Sequence, residues 1–275
     1  MFSFKKLINS QNRPLVMGIL NVTPDSFSDG GEAFSEENVL WKLSELCDAG
    51  ADIIDVGACS TAPGNRIISE TEELKRLKMF LPLVMKNTDV PVSLDTFRPG
   101  VAEYALSMGV SIINDESGIF DIRMAEVVKK YGAGWIFMHT GGEGSSSFAE
   151  YPDGVVDSVR CFFSDMKKQA VEYGLSEKQL CYDFGIGFGK TRQDDVTLLT
   201  SCEAFGEFSP LLVGVSRKRV IGEITQVEES AKRVIGSVVA GVLCAYKGAE
   251  VLRVHDVQET LEALKVTEVI KRGIL

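Results

Sequence analysis

The sequence has few of the residues that commonly mark metal centres and disulfide frameworks. It contains two histidines and six cysteines among 275 residues, and no two cysteines have C-x-x-C spacing. This excludes the usual zinc-binding and thioredoxin-type motifs. Several cysteines lie within apolar helix or strand patterns, which is typical of reduced, buried thiols. We therefore expect a cytoplasmic protein.

Long hydrophobic runs and an excess of basic residues are also lacking. The apolar stretch from Ser237 to Tyr246 is too short to cross a bilayer. Residues 1–10 have no apolar core or cleavage motif and so do not predict a signal peptide. The formal net charge of −10 argues against a general affinity for nucleic acid or an anionic membrane. An anionic substrate would need a local basic cluster.

Short apolar runs recur eight times and are separated by helix-type stretches, without an antiparallel hairpin signal. The predicted strands are Val16–Leu20, Ile53–Val56, Val92–Leu94, Ser111–Ile113, Trp135–Met138, Leu180–Tyr182, Leu211–Val215 and Val251–Val254. The predicted helices include Glu36–Ala49, Glu70–Met85, Val155–Tyr173, Lys232–Tyr246 and Val257–Lys271. Runs that are apolar on both faces predict a buried parallel sheet. Eight cycles favour an α/β fold of the (β/α)8 TIM-barrel type, as one domain over residues 1–275. An open doubly wound sheet is the alternative.

A polar residue lies at or next to the end of each predicted strand. These residues are Asn21, Asp55, Asp95, Asn114, His139, Asp183, Ser216 and His255. In a parallel barrel the carboxyl ends of all strands meet at one mouth, where barrel enzymes hold their active sites. Buried polar groups are costly unless they are paired, so this recurring pattern predicts a site at that mouth.

The segments that follow the strands carry the most specific motifs. The first reads G-I-L-N-V-T-P-D-S-F-S-D-G-G from Gly18, and later ones read G-I-G-F-G-K-T from Gly185, V-S-R-K from Val215 and R-V-H-D from Arg253. The glycine run fails the Walker pattern, because Phe184 stands where the first glycine is needed. In this order, and over most of the chain, the segments resemble the dihydropteroate synthase family.

The resemblance implies a pterin-binding barrel that acts in folate biosynthesis. Its two small-molecule substrates would be 6-hydroxymethyl-7,8-dihydropterin pyrophosphate and p-aminobenzoate, and its products dihydropteroate and pyrophosphate. Mg²⁺ is the implied cofactor, and it assists the departure of pyrophosphate. The family also implies a homodimer through barrel helices and sensitivity to sulfonamides, with no nucleic acid or membrane as partner.

A pterin ring presents an amide-like edge and an aminopyrimidine edge, which call for carboxylate and carboxamide partners. Such groups stand at strand ends, and a nearby lysine can donate to the ring carbonyl or a ring nitrogen. The predicted pterin-binding residues are Asp95, Asn114, Met138, Asp183, Phe188 and Lys218. Each acid taken alone has a plainer alternative as a helix N-cap, and Phe188 has one in core packing.

Pyrophosphate requires positive charge and N–H donors in one place. Arg253 and His255 are two residues apart on a strand, so their side chains point to the same side. Arg253 can bind phosphate bidentately, and His255 can donate to it. Asn21 offers an oxygen to magnesium, which needs few protein ligands beside substrate phosphates. Thr61 joins this set through the resemblance, and a structural ion pair is the alternative for Arg253.

The p-aminobenzoate pocket is predicted beside the glycine run and the second loop. Its residues are Phe27, Thr61, Pro63, Phe188, Lys218 and Arg219. The reaction needs no protein nucleophile, so catalysis rests on holding the pterin and stabilising the leaving group. The residues with that task are Asp95, Lys218, Arg253 and His255. The loops after the first two strands are predicted to close and exclude water.

The chain departs from the family pattern mostly on the p-aminobenzoate side. Ala62 replaces the arginine of S-T-R-P, Ala58-Cys59 replaces G-E, Glu116 an apolar residue, Phe184 a proline and Arg219 a serine. Three hypotheses follow: an active synthase with an altered second loop, a non-catalytic pterin-binding paralogue, and a methyltransferase that passes a methyl group from a folate to a corrinoid protein. The intact polar pterin set favours the synthase, and the long first-loop match counts against the methyltransferase.

Overall fold

The computed structural model describes residues 1–22, 35–59, 67–141 and 148–273. Within them, parallel strands form a closed barrel in chain order. The strands are β1 (Leu15–Asn21), β2 (Ile53–Gly57), β3 (Val92–Asp95), β4 (Ile112–Asp115), β5 (Gly134–Met138), β6 (Leu180–Asp183), β7 (Leu211–Val213) and β8 (Val251–Val254). The helices are α1 (Phe4–Gln11), α2 (Glu36–Asp48), α3 (Glu70–Lys86), α4 (Pro99–Ser107), α5 (Ile122–Tyr131), α6 (Val155–Tyr173), α7 (Arg192–Thr200), α8 (Arg219–Thr225), α9 (Val234–Tyr246) and α10 (Val257–Arg272). The predicted (β/α)8 barrel is confirmed.

Most predicted boundaries lie within two residues of the observed ones. Helix α6 begins and ends where the sequence predicts it. Strand β7 is shorter than predicted, because the chain leaves the sheet after Val213 and turns at Arg217, whose φ is +60°. Helix α1 was not predicted. A helix of eight residues is marginal on its own, and this one depends on tertiary contacts that the local pattern does not show.

Two apolar layers hold the barrel together. The larger one lies between the strands and the surrounding helices. The smaller one fills the amino-terminal end of the barrel, where Phe4 of α1 is fully buried against inward residues such as Met17 and Ile53. Helix α1 therefore covers the end of the barrel that is opposite the predicted site. Among the helices given above, none combines the length and apolar character needed to cross a bilayer.

The strand register brings predicted site residues into one row at the other end. Asn21 pairs with Gly57, Gly57 with Asp95, and Asp95 with Asn114, across four adjacent strands. Gly57 is suited to this row, since a Cβ there would lie 3.1 Å from Oδ1 of Asn21. The barrel thus concentrates polar side chains at the carboxyl ends of its first four strands, as predicted from the strand ends.

Candidate active site

A cavity of about 360 Å³ lies at the carboxyl ends of the strands. Seven predicted site residues line it: Asn21, Asp95, Phe188, Lys218, Arg219, Arg253 and His255. Met138, Asn114 and Asp183 lie at the ends of β5, β4 and β6 and are buried. Phe27, Thr61 and Pro63 lie outside the described residues, as does Ala62. The structure therefore brings together most of the described side chains that were assigned to one site.

Arg253 crosses the barrel and joins three carboxylates from different strands. Its Nε donates to Oδ2 of Asp55 at 2.6 Å, and its Nη2 donates to Oδ2 of Asp95 at 2.7 Å. Nη1 lies 4.0 Å from Oε1 of Glu116, which follows β4. Burial opposes the charge, but these carboxylates outweigh it and raise the pKa of Arg253 above its ordinary value. The ion pair considered as an alternative for this residue is present, and the same guanidinium also lines the cavity.

The pKa values of two acids at the base of the site, Asp95 and Asp183, are raised above the ordinary value. Burial, followed by the charge of Glu116, raises the pKa of Asp95 well above its ordinary value, against the opposing charge of Arg253. Burial also raises the pKa of Asp183, against Lys218. A ligand that donates N–H groups to these carboxylates would stabilise their ionised forms, so the site favours a heterocycle with several N–H donors.

Two of the buried carbonyl-type oxygen atoms near them have no hydrogen-bond partner within the described parts of the chain. They are Oδ1 of Asn114 and Oδ1 of Asp55. Nδ2 of Asn114 donates to the other oxygen of Asp55 at 3.2 Å, which fixes the orientation of the amide. Unpaired buried acceptors are rare in folded proteins and require an explanation. A donor that reached either atom from the cavity would remove the cost of leaving it unpaired.

His255 is held by the turn that follows β7. Its main-chain N–H donates to Oγ of Ser216 at 3.2 Å, and the same hydroxyl shares a hydrogen bond with the ring Nδ1 at 3.0 Å. Because Nδ1 is engaged by Ser216, Nε2 is the ring nitrogen left for a ligand. Burial, followed by the charges of Arg217 and Arg253, lowers the pKa of His255 to about 3. The ring is therefore neutral at pH 7 and has one N–H to donate.

Lys218 stands between the cavity and the glycine run. Its Nζ donates to the carbonyl of Ile186 at 2.6 Å and lies 5.0 Å from the centre of the Phe188 ring. Burial lowers the pKa of Lys218, although Asp183 favours its charged form. The ammonium group thus has an acceptor on one side and an aromatic face on the other, which limits its position.

The glycine run approaches the chain after β5 more closely than a side chain would permit. A Cβ on Gly185 would lie 2.0 Å from the His139 carbonyl oxygen, and one on Gly189 would lie 1.7 Å from that of Gly141. Both glycines have positive φ, which other residues rarely adopt. Close packing against neighbouring backbone therefore accounts for glycine at these two positions. His139 is buried and packs edge-to-face with Phe162, in keeping with a structural role.

Some residues of the cavity were not assigned from the sequence. Arg217, Arg192 and Arg233 line it, and they increase the positive charge around Lys218. Arg233 also donates to the carbonyls of Arg217 at 3.0 Å and Lys218 at 3.3 Å, and so shapes their turn. The signal for Arg217 was present in the V-S-R-K segment. The pattern around Arg233, at the start of an apolar helix, gave none.

The departures from the family pattern divide into two groups. Cys59, Glu116 and Arg219 line the cavity, where they change its chemistry. Phe184 lies in the core, with its ring centre 4.7 Å from that of Phe205 in an edge-to-face arrangement, and it does not line the cavity. We therefore attribute Phe184 to packing.

The lining of the cavity is compatible with a magnesium ion that binds mainly through its substrate. Within the described residues, no group of three histidine, cysteine or acidic side chains is arranged to hold a metal. Asn21 provides one neutral oxygen at the mouth, beside basic residues suited to phosphate. Magnesium commonly binds through one or two protein oxygens, water and substrate phosphates, and these residues fit that mode.

Comparisons with known proteins agree with this chemistry. The model of the pterin binding enzyme family matches residues 17–255. The dihydropteroate synthase of Bacillus subtilis is 38% identical over 265 residues, which cover 95% of this chain and 90% of that protein. A structure of Xanthomonas albilineans dihydropteroate synthase with 4-aminobenzoic acid is 39% identical, with a TM-score of 0.88 and coverage of 94% of each chain. A Yersinia pestis dihydropteroate synthase in a sulfonamide drug complex is 37% identical, with a TM-score of 0.87 and coverage of 95% of each chain.

Proposed function

The chain belongs to the dihydropteroate synthase family of pterin-binding enzymes, and we propose that it joins 6-hydroxymethyl-7,8-dihydropterin pyrophosphate to p-aminobenzoate. The C–O bond between the pterin methylene carbon and pyrophosphate breaks, and a C–N bond to the arylamine forms as the amine loses a proton. The products are 7,8-dihydropteroate and pyrophosphate. The protein is thus a transferase of folate biosynthesis.

One observation carries the proposal. Acceptors suited to a pterin and cations suited to pyrophosphate lie in and below the same cavity, at or near the carboxyl ends of the strands. The acceptors are Asp95, Asn114 and Asp183, and the cations are Lys218 and Arg253. A ligand with N–H donors at one end and an anionic group at the other matches this division.

The pterin would lie deepest, against the unpaired oxygens at the base of the site. Oδ1 of Asn114 would accept from a ring N–H, and the carboxylate of Asp183 would accept from the adjacent amino group. Lys218 would donate to the ring carbonyl or a ring nitrogen, and Phe188 would cover one face of the ring. Met138, beside Asp183 in the register, would add an apolar contact.

The pyrophosphate would lie toward the mouth, near His255, Arg253 and Asn21. The neutral ring of His255 would donate its Nε2–H to a phosphate oxygen, and Arg253 would contribute positive charge. Asn21 would hold magnesium together with substrate phosphates, and the metal would stabilise the charge on the departing group. Thr61 is proposed for the same region, although it lies outside the described residues.

The arylamine would enter last and lie nearest to solvent. Phe188, Lys218 and Arg219 line the cavity on this side, and Phe27 and Pro63 are proposed partners from outside the described residues. The exposed guanidinium of Arg219 would attract the carboxylate of p-aminobenzoate. Sulfonamides that imitate this amine would compete for the same place.

The decisive experiment measures pyrophosphate release by the purified protein with pterin pyrophosphate, magnesium and p-aminobenzoate. We expect release that depends on the amine, together with formation of dihydropteroate. The reaction without amine is the control. Tight pterin binding without product would favour a non-catalytic paralogue, and Ala62→Arg would then test whether the altered second loop is the cause. A protein that binds no pterin would refute the site assignment.

We also propose a homodimer formed through α9 and α10. Helix α9 carries no charged residue, and Ile235, Val239, Leu243 and Tyr246 are exposed along it at a spacing of three or four residues. Ile270 extends the same apolar surface on the adjacent helix α10. Ile235 is 81% exposed and Ile270 75%, so both would be largely solvated in a monomer. An apolar patch of this kind usually marks an interface, and a twofold axis would bury it against itself.

Light scattering coupled to size-exclusion chromatography tests the dimer directly. We expect two chains per particle for the natural sequence and one for Leu243→Glu, because a charge would be buried at the contact. Glu228→Lys, an exposed charge change outside the apolar patch, is the control. A monomeric natural protein would refute the interface. The cytoplasmic location stays a prediction, with which six free thiols agree.

A further inference from the structure

Lys190 is a fully buried lysine within the glycine run, and none of the roles above uses it. Its residue exposure is 0%. Nζ donates to three main-chain carbonyls, those of His139 at 3.0 Å, Gly185 at 3.0 Å and Phe188 at 3.1 Å. Burial of a lysine is costly, so a lysine kept inside the protein needs a structural or functional reason.

The three acceptors match the three N–H donors of an ammonium group. They come from two segments that are distant in the sequence. His139 directly follows β5, whereas Gly185 and Phe188 belong to the segment between β6 and α7. Lys190 therefore fastens the β6–α7 segment at two points and joins it to the end of the neighbouring strand.

The fastened segment carries both immediate partners of Lys218. The Ile186 carbonyl, which accepts from Lys218, lies between the two carbonyls that Lys190 holds on this segment. The Phe188 ring, over which the Lys218 ammonium lies, belongs to a residue whose own carbonyl Lys190 holds. On the other side, the Gly187 N–H donates to Oδ1 of Asp195 at 2.7 Å. Movement of this segment would thus move the acceptor and the aromatic face of Lys218 together.

We propose that Lys190 is a positioning residue, which holds the β6–α7 segment in the conformation that places Ile186 and Phe188 against Lys218. Lys190 does not touch the substrate. It acts through main-chain carbonyls, and its effect on ligands passes through the Lys218 ammonium and the Phe188 ring. The effect on binding rests on the proposed function, whereas the effect on the segment does not.

A double-mutant cycle between Lys190 and Lys218 tests the proposal. The variants are Lys190→Met, Lys218→Met and the double substitution, and the readout is the dissociation constant of 6-hydroxymethylpterin. We expect each single variant to weaken binding by about tenfold or more, and the double variant to lose clearly less than the product of the two losses, because only the Phe188 contact is left for Lys190→Met to disturb. A structural role unrelated to Lys218 would give independent losses, about a hundredfold in the double variant. Independent losses, or normal binding by Lys190→Met, would overturn the proposal.

A graded series guards against a variant that fails to fold. Lys190→Gln keeps two N–H donors and Lys190→Met keeps none, so we expect pterin affinity to fall in the order Lys, Gln, Met. Lys129→Met is the matched control, because the exposed Lys129 also donates to a main-chain carbonyl, that of Tyr173 at 2.8 Å, away from the site. We expect this control to bind normally. If Lys190→Gln bound pterin as tightly as the natural protein, the three carbonyl contacts of Lys190 would not be what supports pterin binding.

A crystal structure of Lys190→Gln separates this proposal from the proposed function. We expect the Ile186 carbonyl and the Phe188 ring to be displaced from Lys218. If Lys218→Met bound pterin normally, the assignment of Lys218 to the pterin would fail, yet a displaced segment would still support the positioning role. An unchanged segment would refute that role, whatever the ligand.

Discussion

Replacing Arg253 with methionine is the sharpest test of the electrostatic network across the barrel. The guanidinium contacts Asp55 at 2.6 Å and Asp95 at 2.7 Å, and the side chains of these acids are 0% and 10% exposed. Methionine has a similar length and no charge, so both carboxylates would lose their partner in a buried place. Removing one member of a buried ion pair typically costs about 3–5 kcal/mol. We expect the free energy of unfolding at pH 8 to fall by about that amount.

The dependence of this loss on pH identifies its cause. Burial and Glu116 already raise the pKa of Asp95 well above its ordinary value, and Arg253 opposes that rise. Without Arg253 the folded-state pKa of Asp95 would rise further. A raised carboxylate pKa gives stability that is present at low pH and is lost as pH rises through the folded-state pKa. The deficit of Arg253→Met should therefore be smaller at pH 5.5 than at pH 8.

Urea unfolding followed by circular dichroism at the two pH values measures both quantities. Arg253→Lys is the matched control, because it keeps a positive charge and should lose less. The double variant Arg253→Met with Asp55→Asn should recover part of the loss, since one unpaired carboxylate is removed. A loss below about 1 kcal/mol that is equal at both pH values would refute the network as a source of stability.

Three further predictions concern individual side chains. Ser216→Ala should lower kcat/KM for the pterin pyrophosphate by about tenfold, because His255 loses the partner of its Nδ1; unchanged steady-state kinetics would contradict this. Burial raises the pKa of Asp115 to about 6. The protonated side chain then contributes up to about 3 kcal/mol to the free energy of unfolding at low pH, and this contribution is lost as pH rises from about 4 to 6. Urea unfolding of Asp115→Asn at several pH values should show no such decrease. Asp183→Asn should weaken 6-hydroxymethylpterin binding about tenfold by calorimetry, whereas the exposed control Asp89→Asn should not.

The barrel could be predicted from the sequence because its strands and most helices are encoded locally. Runs that are apolar on both faces, and the helix-type stretches between them, depend on neighbours within a few residues. Helix α1 escaped prediction because its stability comes from Phe4 packing against strand residues far along the chain. The end of β7 was placed two residues late, since Val215 continues the apolar run although the backbone has already left the sheet.

The site was predictable in its residue types but only partly in its pairing. Strand ends gave the positions of Asp95, Asn114 and His255. The partners of Arg253 could not be read, because Asp55 is separated from it by 198 positions and meets it only when the barrel closes. The function of Lys190 was hidden for a related reason, since its acceptors are carbonyl groups that exist in every sequence.

The packing of α1 beneath the barrel determines by which end ligands can enter and leave the site. Phe4 and its apolar neighbours fill the amino-terminal end of the barrel, so that end offers no route into the site. Substrates and products then share the rim formed by the carboxyl ends of the strands. Whatever occupies the outer part of the cavity detains whatever lies beneath it. An amine analogue bound there would block dissociation of a pterin beneath it. The dissociation rate of the analogue would then limit the dissociation rate of the pterin.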